Sequence, residues 1–125
     1  MVVEDKSFLL PQENIDYDEL LLSKAEKGEG SEVLRFWESP DYFVVLGRIG
    51  KEEEDVYPEA VTKDHVPILR RFSGGGTVLQ GKGCLNYSLI LSKDLPEIND
   101  LRRSYQFILE KIVKALGTLN VACEF

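Results

Sequence analysis

Cysteine, histidine, methionine and tryptophan are all scarce: the 125 residues hold two, one, one and one of them. Cys84 and Cys123 lie far apart and make no Cys-x-x-Cys pair. That arrangement argues against a disulfide framework or a zinc site, so no metal is expected, and it fits a reducing, cytoplasmic location. The lone His65 precedes an apolar stretch and reads as a loop or surface residue. No run approaches the roughly 18 uninterrupted apolar residues of a membrane helix, so no membrane role is expected. Met1 to Ser7 include Glu4, Asp5 and Lys6 and lack an apolar core, so no signal peptide is expected. Neither an internal repeat nor a low-complexity tract is present.

Positive charge is the minority sign. Fifteen Lys and Arg face 22 Asp and Glu, for a net charge of −7. A nucleic-acid partner is therefore not expected. Acidic residues are in turn missing from one window. His65 through Ser92 contain no Asp or Glu, where an even spread over the chain would put about five. The same window holds Arg70, Arg71 and Lys82. It is a locally positive island in an acidic chain and suits a small anionic ligand. Burial of this window as sheet also accounts for the missing acids, and the two readings are compatible.

Apolar residues make up 43% and charged residues 30%, as in a soluble globular domain, and the length allows one domain over residues 1–125 with a real core. Ser7 to Leu10 reads as a short strand ended by Pro11. Asn14 is a suitable N-cap for a helix to about Lys27, with Leu21, Leu22 and Ala25 on its buried side and Gly28 as its stop. Val33 to Trp37 alternates as a strand, and Tyr42 to Leu46 is an apolar strand closed by Gly47. An acidic segment from Lys51 to Asp64, with a short helix, leads to a strand at Val66 to Arg70. Thr77 to Gln80 and Leu85 to Leu91 read as a hairpin joined through Gly81-Lys82-Gly83. Pro96 opens a long amphipathic helix whose apolar residues, from Ile98 to Leu116, recur every three or four positions until Gly117. Val121 to Phe125 begins another strand. The order predicts an α+β fold with a mixed, mainly antiparallel sheet and helices packed on it, not repeated βαβ units.

The segment that carries chemistry is Arg70-Arg71-Phe72-Ser73-Gly74-Gly75-Gly76-Thr77. Three consecutive glycines after a strand permit torsions that other residues avoid and let a ligand reach the main chain. Successive N–H groups can converge there on an anion or a carbonyl. Arg71 adds a positive fork suited to phosphate or carboxylate, and Ser73 a hydroxyl. A further glycine pair, Gly81 and Gly83, flanks Lys82. The run is neither a Walker loop, lacking the Gly-Lys-Ser/Thr ending, nor a dinucleotide GxGxxG.

The run Arg70 to Val78, followed by Gly83 and Asn86-Tyr87-Ser88, resembles the signature of lipoate–protein ligases of the biotin/lipoate ligase and octanoyltransferase superfamily. Asn14 to Leu21 resembles the first helix of that family, and Leu34-Arg35-Phe36-Trp37 with Val44-Val45-Leu46-Gly47-Arg48 resembles its next two strands. The resemblance implies a fold like that of biotin ligases and class II aminoacyl-tRNA synthetases. It also implies a two-step reaction. ATP, with Mg2+, activates lipoate as an acyl-adenylate. The acyl group then passes to a lysine on a lipoyl domain of a 2-oxo acid dehydrogenase complex or on the glycine-cleavage H protein. By resemblance Arg71, Ser73, Gly74, Gly75, Gly76, Thr77, Gly83, Cys84 and Asn86 line the acyl and adenylate site, and Trp37 and Arg48 belong to an acyl pocket.

Two departures bear on this. Relatives carry a His-Asp or similar pair where this chain has Gln80-Gly81, and an Asn where it has Cys84. Nothing adjacent to Cys84 in sequence resembles an activating base. The family lysine that contacts acyl carbonyl and phosphate is expected beyond Phe125. The 125 residues alone are therefore expected to be inactive, and a C-terminal half or second chain is an expected partner. The alternatives are octanoyl transfer from acyl carrier protein and a non-catalytic acyl- or adenylate-binding module.

Overall fold

The computed structural model describes residues 1–125. The chain divides by its contacts into two compact units, residues 1–90 and 91–125. The first unit holds six strands in two three-stranded sheets. One sheet has the order β1-β2-β6, from Val2–Asp5, Val33–Trp37 and Asn86–Ile90. The other has the order β4-β3-β5, from Ile68–Arg70, Phe43–Leu46 and Val78–Gln80. Each sheet joins one parallel pair to one antiparallel pair, so the sheets are mixed, and with the helices the fold is α+β as expected.

Helix α1 spans Pro11–Glu26. Proline at the first helical position needs no N–H partner there. Glu13 and Lys24 lie at the ends where the helix dipole favours their charges. Gly28, at φ +73°, ends it by returning its N–H to the Ala25 carbonyl at 3.1 Å. Asn14, expected as the N-cap, lies inside the helix and is fully buried. Its side chain accepts from the Phe8 amide at 3.0 Å and donates to the Phe8 carbonyl at 2.9 Å. It thereby ties the chain entering the helix; the chain bends at Leu9 and Leu10, and residues 7–10 do not form the expected strand.

Strand β3 is buried on both faces, from Phe43 to Leu46. On one face Phe43 and Val45 pack with Ile15 of α1 and Trp37 of β2, with Leu69 against them. Each such side chain contributes about 1.5–3 kcal/mol by leaving water. Beneath this core Arg35 is completely buried. Its guanidinium donates to Asp18 Oδ1 at 2.6 Å, to Asn14 Oδ1 at 2.7 Å and to the carbonyls of Asn14 and Lys6, each at 2.9 Å. Phe8, Tyr17 and Trp37 surround it. A buried charge is tolerated because its donors and counter-charge are all supplied.

The acidic segment forms two short helices, α2 at Glu52–Asp55 and α3 at Pro58–Lys63. The expected hairpin does not form: β5 pairs with β3 and β6 with β2, in different sheets. The turn between them diverts the chain. Gly81 sits at φ +154° against the Tyr42 ring, which leaves no room for a Cβ.

In the second unit a 3-10 turn at Pro96–Ile98 precedes α4, Leu101–Thr118. Pro96 therefore opens the turn, and Asp100 caps the helix by accepting from the Arg103 amide at 3.0 Å. The stop is Asn120, at φ +60°, rather than Gly117. Residues 121–125 form no strand.

Candidate functional site

Two turns meet where β3 and β4 end. One runs from Gly47 to Gly50 and closes with a 3.0 Å bond from the Gly50 N–H to the Gly47 carbonyl. The other is the loop from Ser73 to Gly76, between β4 and β5. The Arg48 amide donates to the Ser73 carbonyl at 2.9 Å, and the Arg71 amide to Leu46 at 3.0 Å, which fastens one turn to the other. The approach is so close that a Cβ at Gly47 would overlap the Gly75 carbonyl. Of the three consecutive glycines only Gly75 has a positive φ, +92°, and a Cβ there would lie 2.9 Å from Arg71 Nη2. A Cβ at Gly74 or Gly76 would meet nothing.

Both arginines hold these turns by their carbonyls. Arg70 Nη1 donates to Gly47, Arg48 and Gly50 at 2.9, 3.2 and 2.7 Å. Arg71 donates from Nη2 to Gly74 and Gly76, both at 2.8 Å, from Nε to Gly74 at 3.2 Å and from Nη1 to Val45 at 3.4 Å. The sequence predicts Arg71 as a positive fork suited to phosphate or carboxylate. In the folded chain most of that fork is turned on the loop's own carbonyls.

The amides show the opposite pattern. None of the N–H groups of Ser73, Gly74, Gly75, Gly76 and Thr77 donates to a protein acceptor, and the Ser73 hydroxyl has no partner. Residues 73–76 are exposed. Orphaned amides are ordinarily satisfied by water or by a ligand. Five in succession, on a loop whose carbonyls are drawn onto a guanidinium, leave a run of free donors available to an anion or a developing oxyanion. Thr77, next in line, is fixed by its hydroxyl, which donates to Asp55 Oδ2 at 2.7 Å. Beside it lies a cavity of about 310 Å3 lined by Val44, Val56, Val61, Val66 and Leu79, with Asp55 and Thr77 on its wall.

Gly83, Cys84, Asn86 and Trp37 form a second group at the other end of β5. Thr77 and Gly81 are four residues apart along that extended segment, or about 13 Å at ~3.3 Å per residue. Gly83, at φ +87°, donates its N–H to Glu38 Oε1 at 2.7 Å. The Asn86 side chain donates to the Cys84 carbonyl at 3.1 Å. Asn86 pairs across the sheet with Trp37. The Trp37 indole N–H donates to Ser88 Oγ at 3.2 Å, and Ser88 donates to Asp18 at 2.6 Å. Cys84 is a half-buried free thiol and Cys123 an exposed one. Arg48 is exposed on its turn, whereas Trp37 is buried in the core. No group of three or more His, Cys, Asp or Glu is assembled that could hold a metal ion.

Three contributors are not among the residues expected to line the site: Gly47, Arg70 and Asp55. The signals available were the glycine that closes an apolar strand and the arginine doublet. Nothing in the sequence marks Asp55 among its acidic neighbours.

A family model for the lipoyl protein ligase A/B catalytic domain matches residues 10–125. Among curated relatives, a probable lipoate-protein ligase A of Mycoplasma pneumoniae is 34% identical over 116 residues, covering 93% of this chain and 33% of the relative. The octanoyltransferase LipM of an Exiguobacterium species is 30% identical over 116 residues, covering 92% of this chain and 42% of the relative. A crystal structure of lipoate-protein ligase A bound with ATP superposes with a TM-score of 0.84 at 25% identity, over 97% of this chain and 47% of that one. A bi-partite lipoate protein ligase from Thermoplasma acidophilum, studied with its E2 lipoyl domain, gives 0.85 at 25% identity, over 99% and 47%. The chain thus spans a third to a half of the proteins it resembles. No helix is long and apolar enough to cross a membrane.

Proposed function

This chain belongs to the lipoyl protein ligase A/B catalytic-domain family, and on that footing we propose that it supplies the acyl- and adenylate-binding front of a lipoate–protein ligase. In this reading a lipoate carboxylate oxygen attacks the α-phosphate of ATP and expels pyrophosphate, leaving lipoyl-adenylate. A lysine amine of an acceptor lipoyl domain then attacks the acyl carbonyl, and AMP leaves with the bonding electron pair. Both steps build negative charge on phosphoryl or carbonyl oxygens, which preorganised amides stabilise without reorganising. Holding both substrates together supplies the entropic share.

The observation that carries this reading is the row of unpaired amides from Ser73 to Thr77. Arg71 shapes that row, and Asp55 steadies its end through Thr77. Gly83, Cys84, Asn86 and Trp37 then take the acyl end, since an elongated ligand lying along β5 would reach from one group to the other. Mg2+ enters with the nucleotide phosphates rather than on a site of its own. Likeness to an ATP-bound ligase and to a bi-partite ligase with its lipoyl domain supports ATP as co-substrate, an E2-type lipoyl domain as acceptor and a second segment or chain as partner. The glycine-cleavage H protein is a further candidate acceptor. The lysine that completes the site lies, in this reading, outside these residues, so residues 1–125 alone turn over little or not at all. The setting is the cytoplasm.

Lipoate-dependent exchange of pyrophosphate into ATP by the full-length protein tests this. Exchange that needs lipoate supports it, and its absence removes the ligase reading. The likeness to an octanoyltransferase favours a second reading, octanoyl transfer from acyl carrier protein. That reading requires acceptor modification without nucleotide, abolished by replacing one cysteine.

A further inference from the structure

The amide row is neutral, yet the proposed activation brings a triphosphate to it. Uncharged donors stabilise one oxyanion well, but the displaced pyrophosphate carries more negative charge than the Mg2+ that accompanies it neutralises, which leaves a role for a protein cation. The cations nearest the row are mostly engaged. Arg70 holds three carbonyls of the Gly47–Gly50 turn, and Arg71 holds the carbonyls of Gly74, Gly76 and Val45. Lys51 is paired with Glu54 at 2.5 Å. Lys82 is at the opposite end of β5, on the turn after Gln80.

Arg48 is the exception. Its own amide donates to the Ser73 carbonyl, so its backbone is fixed directly beside the row. Its side chain is exposed and makes no hydrogen bond or ion pair. The turn that carries it is held from within by Arg70, which makes the position rigid without engaging the Arg48 guanidinium. We propose that Arg48 is the polyphosphate-binding residue of the site: it takes the β- and γ-phosphates of ATP and the pyrophosphate they become. This rests on the ligase reading above and assigns Arg48 to the nucleotide rather than to the acyl chain.

The two half-reactions of the full-length protein test it. In Arg48→Ala, lipoate-dependent pyrophosphate exchange is expected to fall about 100-fold, as for loss of one transition-state donor. Transfer from preformed lipoyl-adenylate to a lipoyl domain should fall no more than a few fold, because that substrate carries no polyphosphate. Arg48→Lys should recover part of the exchange through a higher KM for ATP, since it keeps the charge without the fork. Equal loss in both half-reactions, or undiminished exchange, would overturn the assignment while leaving the ligase reading intact. Absence of exchange in the unmodified protein would sink the ligase reading, and the assignment with it.

Discussion

Replacing Gly47 with alanine tests whether the two turns touch as described. Gly47 does not have a positive φ, so the added methyl introduces no backbone strain. The whole cost is steric: the new Cβ would occupy the space of the Gly75 carbonyl. Backbone cannot swing aside as the end of a lysine could, so the turns must part. Overpacking of this kind costs about 1–3 kcal/mol. Parting the turns would also lengthen the bond from the Arg48 amide to the Ser73 carbonyl, so affinity for an acyl-adenylate analogue should fall with stability. Thermal unfolding and titration calorimetry on the same samples read both. The control is Gly76→Ala, where a Cβ meets nothing and stability should stay within about 0.5 kcal/mol. If Gly47→Ala matches the unmodified protein in Tm and affinity, the contact does not exist in solution.

Gly75→Ala meets both a left-handed φ and the Arg71 guanidinium, so it should destabilise by about 1–3 kcal/mol in chemical denaturation. Arg71→Lys keeps the charge but cannot span the carbonyls of Gly74 and Gly76. The KM for ATP should rise at least about tenfold while denaturation shows a loss below ~1.5 kcal/mol. Arg35→Met removes the counter-charge of Asp18, which keeps the Ser88 hydroxyl as donor, and strips the donations to Asn14 and Lys6; it should cost about 3–5 kcal/mol, read from the fluorescence of the single tryptophan, Trp37, which lies against that guanidinium.

Much of the fold could be read where the pattern is strong. The apolar run before Gly47, the alternation from Val33 to Trp37 and the glycine stop at Gly28 each appear as expected. The errors share a cause, namely tertiary contacts that the local pattern does not encode. Asn14 looks like a cap, but its amide is used to tie Phe8. Gly81 and Gly83 look like a hairpin turn, but Tyr42 and Glu38 pin them while the two strands join different sheets. At the site, the glycine run marks the place where main chain is exposed. Which donors are left free depends on where Arg70 and Arg71 spend theirs, and that emerges only from the folded geometry.

The most direct measurement is the response of backbone amides to a non-hydrolysable acyl-adenylate analogue, followed by 15N NMR on the full-length protein. The largest downfield shifts and the strongest new exchange protection should fall on Ser73, Gly74, Gly75, Gly76 and Thr77. A ligand that binds while leaving those five amides unmoved would contradict the role given to the row.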